Sequence, residues 1–115
     1  MAEKHFRWRL EEMLDDLSAI EAYTPSHFGI LLEDSMRFDA IVRRLSKLGE
    51  STKYLPDWVL ERYPDVPWNE MRSVRNFLVH DYFGIGFLSL WITLQEELPE
   101  IRDALARVLE DWKEM

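Results

Sequence analysis

The chain has 115 residues and a formal net charge of −8, and 47% of its residues are hydrophobic. This length fits one domain over residues 1–115 with a single buried core. The chain contains no cysteine, which excludes disulfides and thiolate metal sites and is typical of a reducing compartment such as the cytoplasm. It lacks both an apolar run of the roughly 18 to 20 residues that a membrane span needs and an apolar signal region, so we expect an untargeted, soluble protein with no membrane segment.

The charge is distributed unevenly along the chain. From Ser35 to His80, eight basic residues stand against six acidic ones, a local balance of +2, which leaves −10 for the remainder. The overall acidity argues against a general nucleic-acid coat, because such binding neutralises phosphates with lysine and arginine. The basic middle could still present one anion-binding cleft, and the plainer alternative is a set of solvated helix faces.

The first helix is predicted from apolar residues that recur at spacings of three and four. The pattern ends before Pro25, and Thr24-Pro25-Ser26 is typical of a helix stop followed by an N-cap. A short helical turn is therefore expected near Ser26. The apolar stripe comprises Phe6, Leu10, Met13, Leu14, Leu17, Ile20 and Tyr23, and the residues read as its polar side are Glu11, Glu12, Asp15 and Asp16.

The middle of the chain predicts one long and one short helix. The long helix is expected to end near Leu55-Pro56, and the segment bounded by Pro56 and Pro64 could form about two turns with Asp57 at its positive end. The stripe of the long helix is Phe38, Ile41, Val42, Leu45 and Leu48.

Two further helices are predicted in the last third of the chain. One runs from Trp68 to Tyr82, and Gly84 or Gly86 is well placed to end it in a left-handed cap. The other runs from Phe87 to Trp112, has Leu88 and Leu90 among its apolar positions, and is kinked or restarted at Pro99. No segment alternates convincingly with a period of two, so the sequence predicts an all-α bundle of about five helices.

The eight residues from Arg75 to Tyr82 gather groups suited to acid/base and phosphate chemistry. An arginine can hold a phosphate with its forked donors, and a histidine exchanges a proton near neutral pH. On a helix, Asn76 lies one turn from His80 and about 40° away, so its amide can orient the imidazole. Around the axis of a helix, Arg75 lies about 140° from His80 and within about 20° of Tyr82. Arg75 and His80 therefore do not share a face, and one isolated helix does not readily bring both side chains to the same phosphate. A second subunit could complete the site.

Each of these residues also has an ordinary structural explanation when taken alone. His80 could be a hydrogen-bonded residue at a helix end, Arg75 a salt-bridge partner, and Tyr82 a core residue with its hydroxyl at the rim. We expect no metal site and no cofactor, because His5, His27 and His80 fall in separate segments without ligand spacing. Covalent catalysis by a side chain is also poorly supported.

The pattern R-N-x-x-x-H-x-Y, followed by Phe83-Gly84, resembles the signature of the HEPN superfamily, specifically its HepT-like ribonuclease toxins. These are paired with MntA-type nucleotidyltransferase antitoxins. The resemblance extends along nearly the whole chain. It includes the basic and apolar helix Asp39–Lys53 with its Gly49-Glu50 step, and the proline-bounded segments at Leu55-Pro56, Val66-Pro67-Trp68 and Leu98-Pro99.

The resemblance implies a metal-independent endoribonuclease that acts as a homodimer, with the two motif helices forming one composite site. His80 would be the general acid/base, Arg75 would bind the scissile phosphate, and Asn76 would orient the site. Tyr82 matches the tyrosine that the antitoxin modifies with AMP, which would block access of RNA. Arg44 and Lys47 depart from the pattern, because asparagine and an apolar residue are expected there.

Two alternatives to a catalytic toxin remain open. The first is a non-catalytic module of the same fold that binds a nucleotidyltransferase partner or a nucleotide, with Arg75 and His80 as anion ligands. The second is a structural dimer in which the five tryptophans fill core and interface.

Overall fold

The computed structural model describes residues 2–73 and 85–112, and all regular secondary structure within these residues is helical. A 3₁₀ turn, Thr52–Tyr54, follows the third helix, and a π-helical turn, Thr93–Glu97, joins the last two. The predicted all-α, HEPN-like architecture is confirmed. The helices are α1 Ala2–Tyr23, α2 Phe28–Glu33, α3 Ser35–Ser51, α4 Asp57–Arg62, α5 Trp68–Ser73, α6 Ile85–Ile92 and α7 Leu98–Asp111.

The core forms between α1, α3 and α7. Helix α1 packs along α3 on one side and against α7 on another, while α5 packs on α3 and α6 on α2. The apolar stripes predicted for α1 and α3 are buried, apart from three residues that are partly buried and pack against the edge of the core, Leu14, Tyr23 and Phe38. The largest fully buried side chains include Phe6, Leu10, Met13, Leu17, Ile20, Ile41, Leu45 and Leu48.

Helix α1 ends at Tyr23, before Pro25, as the sequence predicts. The Thr24 backbone N–H and the Thr24 hydroxyl both donate to the Ile20 carbonyl oxygen, at 2.9 and 2.7 Å, and so close the last turn of the helix. The next helical turn begins at Phe28, slightly later than the expected start near Ser26.

Asp34 caps the start of α3. Its Oδ1 accepts from the Arg37 backbone N–H at 3.0 Å. The hydrogen bond from the Arg37 backbone holds the pKa of the Asp34 carboxyl below its ordinary value of 3.8.

The expected interruption of the last helix lies just ahead of Pro99. The Leu98 N–H donates to the Thr93 carbonyl five residues back, which makes the turn before the proline wider than an α-helical turn. Because proline has no N–H to donate, α7 can begin with it in its first turn.

Two details of this region differ from the sequence predictions. Gly86 lies within α6, so it is not the left-handed cap of the preceding helix, and Gly84 lies outside the described residues. Leu88 belongs to the predicted apolar positions of the last helix but is 53% exposed, whereas Leu90 is buried.

Aromatic side chains close one end of the bundle. The rings of Phe6, Trp58 and Trp112 pack edge to face at centroid distances of 5.1 to 5.5 Å. Within this chain Trp68 is buried, Trp91 and Trp112 are partly buried, and Trp8 and Trp58 are exposed, so the core takes only part of the tryptophan surface. Beside this cluster the Tyr63 hydroxyl donates to Asp111 at 2.8 Å, and burial raises the pKa of Tyr63.

Candidate functional site

The predicted site residues Arg75, Asn76, His80 and Tyr82 lie outside the described residues, within the segment 74–84. The structure describes what holds this segment on both sides. Helix α5 leads into it and ends at Ser73, and α6 begins at Ile85, directly after it.

The first flank is held to α3 by a close backbone contact. A Cβ atom added at Gly49 would lie 2.5 Å from the carbonyl oxygen of Met71 and 3.6 Å from the Cα of Arg72. Real Cβ atoms essentially never approach a backbone oxygen so closely. A glycine at position 49 is what allows α5 to lie against α3 just before Arg75. The resemblance drew attention to the Gly49-Glu50 step, and the close contact supplies its physical reason.

A buried hydroxyl strengthens the same flank. The Thr52 Oγ1 donates to the Gly49 carbonyl oxygen at 2.7 Å and accepts from the Arg72 Nε at 3.0 Å. Thr52 is fully buried, whereas Arg72 is exposed. The end of α3 and the end of α5 are thus joined by hydrogen bonds as well as by packing. Sequence reasoning did not single out Thr52.

The second flank begins near the opposite end of α3. The Phe87 ring lies 4.3 Å from the Phe38 ring, centroid to centroid, and Trp91 lies 5.9 Å from Phe28 of α2. Gly49 and Phe38 are eleven residues apart on α3, which is roughly 16 Å along the helix axis. The two flanks of segment 74–84 therefore meet α3 about three turns apart.

The face of α3 that packs on α1 carries a polar contact. Asp16 of α1 is fully buried, and its Oδ1 accepts from the Arg44 Nη1 at 2.9 Å. The Lys47 Nζ lies 3.5 Å from the same oxygen and 3.4 Å from Glu12. The other oxygen, Oδ2, is buried and has no hydrogen-bond partner among the residues that the structure describes. The hydrogen bond to Asp16 is the main cause that raises the pKa of Arg44 further.

The burial of Asp16 corrects the sequence interpretation, which placed it on a solvated face. The sequence does carry a signal for the burial of Asp16, namely its spacing from the apolar residues of α1. Asp16 follows Met13 by three residues and precedes Ile20 by four, so it shares the buried side of α1. Arg44 and Lys47, the two departures from the family pattern, are the side chains that compensate its charge.

Two negative findings apply to residues 2–73 and 85–112. No group of three or more histidine, aspartate or glutamate side chains is arranged to hold a metal ion there. None of the helices in those ranges has the length and apolar character needed to cross a membrane.

The chain matches the family model described as HepT-like ribonuclease over residues 13–108, a range that includes all four predicted site residues. A protein of Caldanaerobacter subterraneus subsp. tengcongensis, named as a candidate RNase, is 32% identical over 105 residues, which cover 90% of this chain and 94% of that protein. A protein of Thermococcus cleftensis, named as a probable ribonuclease HepT, is 33% identical over 94 residues, which cover 81% and 86%.

A further relative, from Methanocaldococcus jannaschii, is also named as a candidate RNase. It is 36% identical over 75 residues, which span 65% of each of the two chains. No solved structure matches this chain. The family match over residues 13–108, together with relatives that align over most of both chains, identifies the fold and the enzyme class: the chain belongs to the HepT-like ribonuclease family.

Proposed function

We propose that this protein is a metal-independent endoribonuclease whose reaction is carried out by Arg75 and His80. The observation that supports this most is that the R-N-x-x-x-H-x-Y pattern is intact inside the range matched to the ribonuclease family. Arg75 binds the scissile phosphate and stabilises its developing charge. His80 acts as general acid/base at the ribose 2′-hydroxyl or the leaving oxygen, and Asn76 orients the site.

The contact between α3 and α5 supports this proposal physically. Catalytic side chains act best when the element that carries them is held rigidly. Met71, whose carbonyl touches Gly49, precedes Arg75 by four residues, and Arg72, which is bonded to Thr52, precedes it by three. The chain therefore enters the motif from a fixed point on the core.

The site is proposed to be completed by a second copy of the chain. Arg75 and His80 differ by about 140° around a helix, so two chains facing each other bring both groups to one phosphate more easily than one chain does. The described surface offers apolar area beside the second flank. Its exposed apolar residues are Ile30 and Leu32 of α2 and Leu88 and Ile92 of α6, each 40% to 53% exposed.

The proposed cellular role is that of a toxin restrained by an MntA-type nucleotidyltransferase antitoxin. Transfer of AMP to Tyr82 adds bulk and negative charge beside Arg75, which blocks RNA. A chain without cysteine suits the reducing cytoplasm, where RNA substrates are available.

Cleavage of single-stranded RNA in the presence of a chelator tests the catalytic proposal. We expect His80→Ala and Arg75→Ala to lose at least roughly 10²-fold in rate, since a positioned acid/base is worth about 10² to 10⁴. Matched controls are His27→Ala, an exposed histidine before α2, and Arg107→Ala, a surface arginine that is 65% exposed. Equal cleavage by wild type and His80→Ala would remove the catalytic claim and favour the non-catalytic alternative.

The regulatory part has a separate test. We expect Tyr82→Phe to keep RNA cleavage while escaping modification, as measured by the mass added on incubation with the antitoxin and ATP. Tyr54→Phe is the control, because Tyr54 is 62% exposed and lies at the 3₁₀ turn. Transfer of AMP to the Tyr82→Phe variant would show that Tyr82 is not the sole target.

A further inference from the structure

A pocket of about 390 Å³ lies in the groove between α1 and α3, on the side where Arg44 reaches Asp16. We call it the basic groove. Three of its five lining residues are cations, although the protein as a whole carries a net charge of −8. Its lining residues are Tyr23, Ala40, Arg43, Arg44 and Lys47.

Arg44 is held in position for binding by a carboxylate beneath it. Asp16 is fully buried and accepts a hydrogen bond from the Arg44 Nη1 at 2.9 Å, and Arg44 also has a side-chain hydrogen bond with Tyr23. A guanidinium has five N–H donors in a fixed fork, so these two bonds orient the group and leave the remaining donors available. The Arg44 side chain remains 37% exposed and is therefore accessible from the groove.

Arg43 and Lys47 add charge that the surrounding carboxylates do not fully compensate. Lys47 lies between Glu12 and Asp16, at 3.4 and 3.5 Å, and Glu12 also lies 3.6 Å from Arg9. Arg43 is exposed and makes no hydrogen bond or ion pair with any residue in the described ranges. The groove thus contains one positively charged side chain without a partner in the described part of the chain, beside two that are held by carboxylates.

A pocket next to α5 shows what an unsuitable lining looks like. Its volume is about 530 Å³, but it is lined by Glu61, Asp65 and Glu70 against the single cation Arg72. Such a pocket repels a phosphate, whereas the basic groove attracts one.

We propose that Arg43, Arg44 and Lys47 bind a backbone phosphate of single-stranded RNA, as a substrate-holding subsite additional to Arg75 and His80. This inference rests on the proposed function for the identity of RNA as ligand. Arg44 supplies oriented donors, Arg43 supplies charge that no carboxylate of residues 2–73 and 85–112 cancels, and Lys47 supplies a point charge beside them. Since neither Arg44 nor Lys47 follows the family pattern, the subsite is a property of this chain rather than of the shared reaction.

The experiment measures binding of a fluorescent 2′-O-methyl RNA oligonucleotide, which lacks the attacking hydroxyl and cannot be cleaved. The logarithm of the binding constant falls linearly with the logarithm of the salt concentration, and each phosphate contact with a single strand contributes about 0.7 to that slope. We expect Arg43→Ala to reduce the size of the slope by this amount. At 0.1 M salt this corresponds to about fivefold weaker binding. Arg43→Lys should retain most of the affinity.

Lys53→Ala is the matched control, because it removes the same charge from the end of the α3 region but outside the groove. Lys53 is 51% exposed and lies 3.3 Å from Glu50. Equal losses for Arg43→Ala and Lys53→Ala would mean that only overall charge matters, and the inference would be overturned. A second result would also overturn the inference: inorganic phosphate raises the stability of wild type but not of Arg43→Ala, while both proteins bind RNA equally well. The groove would then hold only small free phosphate.

The two proposals fail in different ways. Cleavage by wild type together with unchanged binding by Arg43→Ala overturns the subsite and leaves the ribonuclease proposal intact. Binding that depends on Arg43, without any cleavage of ordinary RNA, supports the subsite and removes the ribonuclease proposal. Absence of RNA binding by wild type contradicts both.

Discussion

The two sides of α3 are joined to the rest of the bundle by different kinds of contact. Towards α1, long side chains span the gap, and the buried carboxylate of Asp16 is reached by Arg44 and Lys47. Towards α5, the backbones themselves meet, with no room for a Cβ between Gly49 and the Met71 carbonyl. Long side chains can adjust their rotamers, but a backbone contact can be relieved only by moving a helix.

This difference divides the tasks of α3. The α5 side determines where the chain enters the Arg75–Tyr82 motif, so we expect changes there to affect both stability and RNA cleavage. The α1 side forms the basic groove, so we expect changes there to affect stability and RNA binding while leaving the position of α5 unchanged. The following variants test this division, from the largest expected effect to the smallest.

Gly49→Ala is expected to destabilise the protein by about 1 to 2 kcal/mol in urea unfolding. Overpacking typically costs about 1 to 3 kcal/mol, and the better helix propensity of alanine returns part of that. The cleavage rate should fall as well, because α5 must shift. Gly29→Ala is the control, since nothing lies within 4 Å of its added Cβ, and it should be neutral or slightly stabilising. Equal stability of the two variants would refute the close contact.

Arg44→Ala is expected to lower the free energy of unfolding by about 1 to 2 kcal/mol. This is less than the loss for breaking a fully buried ion pair, because the Arg44 side chain is 37% exposed and solvent screens its charge. The substitution leaves the buried Asp16 with Lys47 alone. Asp16→Asn should cost less, because the two cations it releases are accessible to water. Chemical unfolding measures the loss in the free energy of unfolding for both variants. A larger loss for Asp16→Asn than for Arg44→Ala would contradict this account of the α1 side.

Thr52→Val keeps the side-chain shape but removes the hydroxyl that joins the Gly49 carbonyl to Arg72. We expect a loss of about 0.5 to 1.5 kcal/mol together with slower RNA cleavage. Thr24→Val is the matched control, because it removes a hydroxyl bonded only within its own helix end, at 2.7 Å to the Ile20 carbonyl. If both variants cleave RNA at the wild-type rate, the Thr52 bond does not position the motif.

Asp34→Asn tests the start of α3 through pH. The folded pKa of Asp34 lies below its ordinary value of 3.8, so the stability that its charge contributes is present above that pH and is lost as the pH falls below it. The melting temperature of wild type should therefore exceed that of Asp34→Asn at pH 5 and approach it towards pH 2.5. A difference that does not change over this range would show that the carboxylate charge adds nothing to the cap.

The helices and their buried faces could be predicted because they follow from local spacing. The stripes of α1 and α3 repeat every three or four residues, and Pro25, Pro56 and Pro99 mark the places where helices end or change. These signals depend on nearby residues alone, so they survive without knowledge of the tertiary structure.

The contacts of α3 could not be predicted in the same way. A buried aspartate looks like any other acidic residue of an amphipathic helix until its partners 28 and 31 positions away are known. The need for glycine at position 49 arises only when α5 lies against it. The roles of Arg75, Asn76, His80 and Tyr82 came from the family pattern, and their geometry stays a prediction.

The most direct test of the central claim is the chemistry of the RNA ends that the protein produces. Wild type and His80→Ala are incubated with a defined single-stranded RNA in the presence of a chelator, and the fragments are analysed by mass spectrometry. Attack by the 2′-hydroxyl, with His80 moving the proton, predicts fragments ending in a 2′,3′-cyclic phosphate for wild type and intact RNA for His80→Ala. Fragments with 3′-hydroxyl ends, or the same fragments from both proteins, would contradict the account.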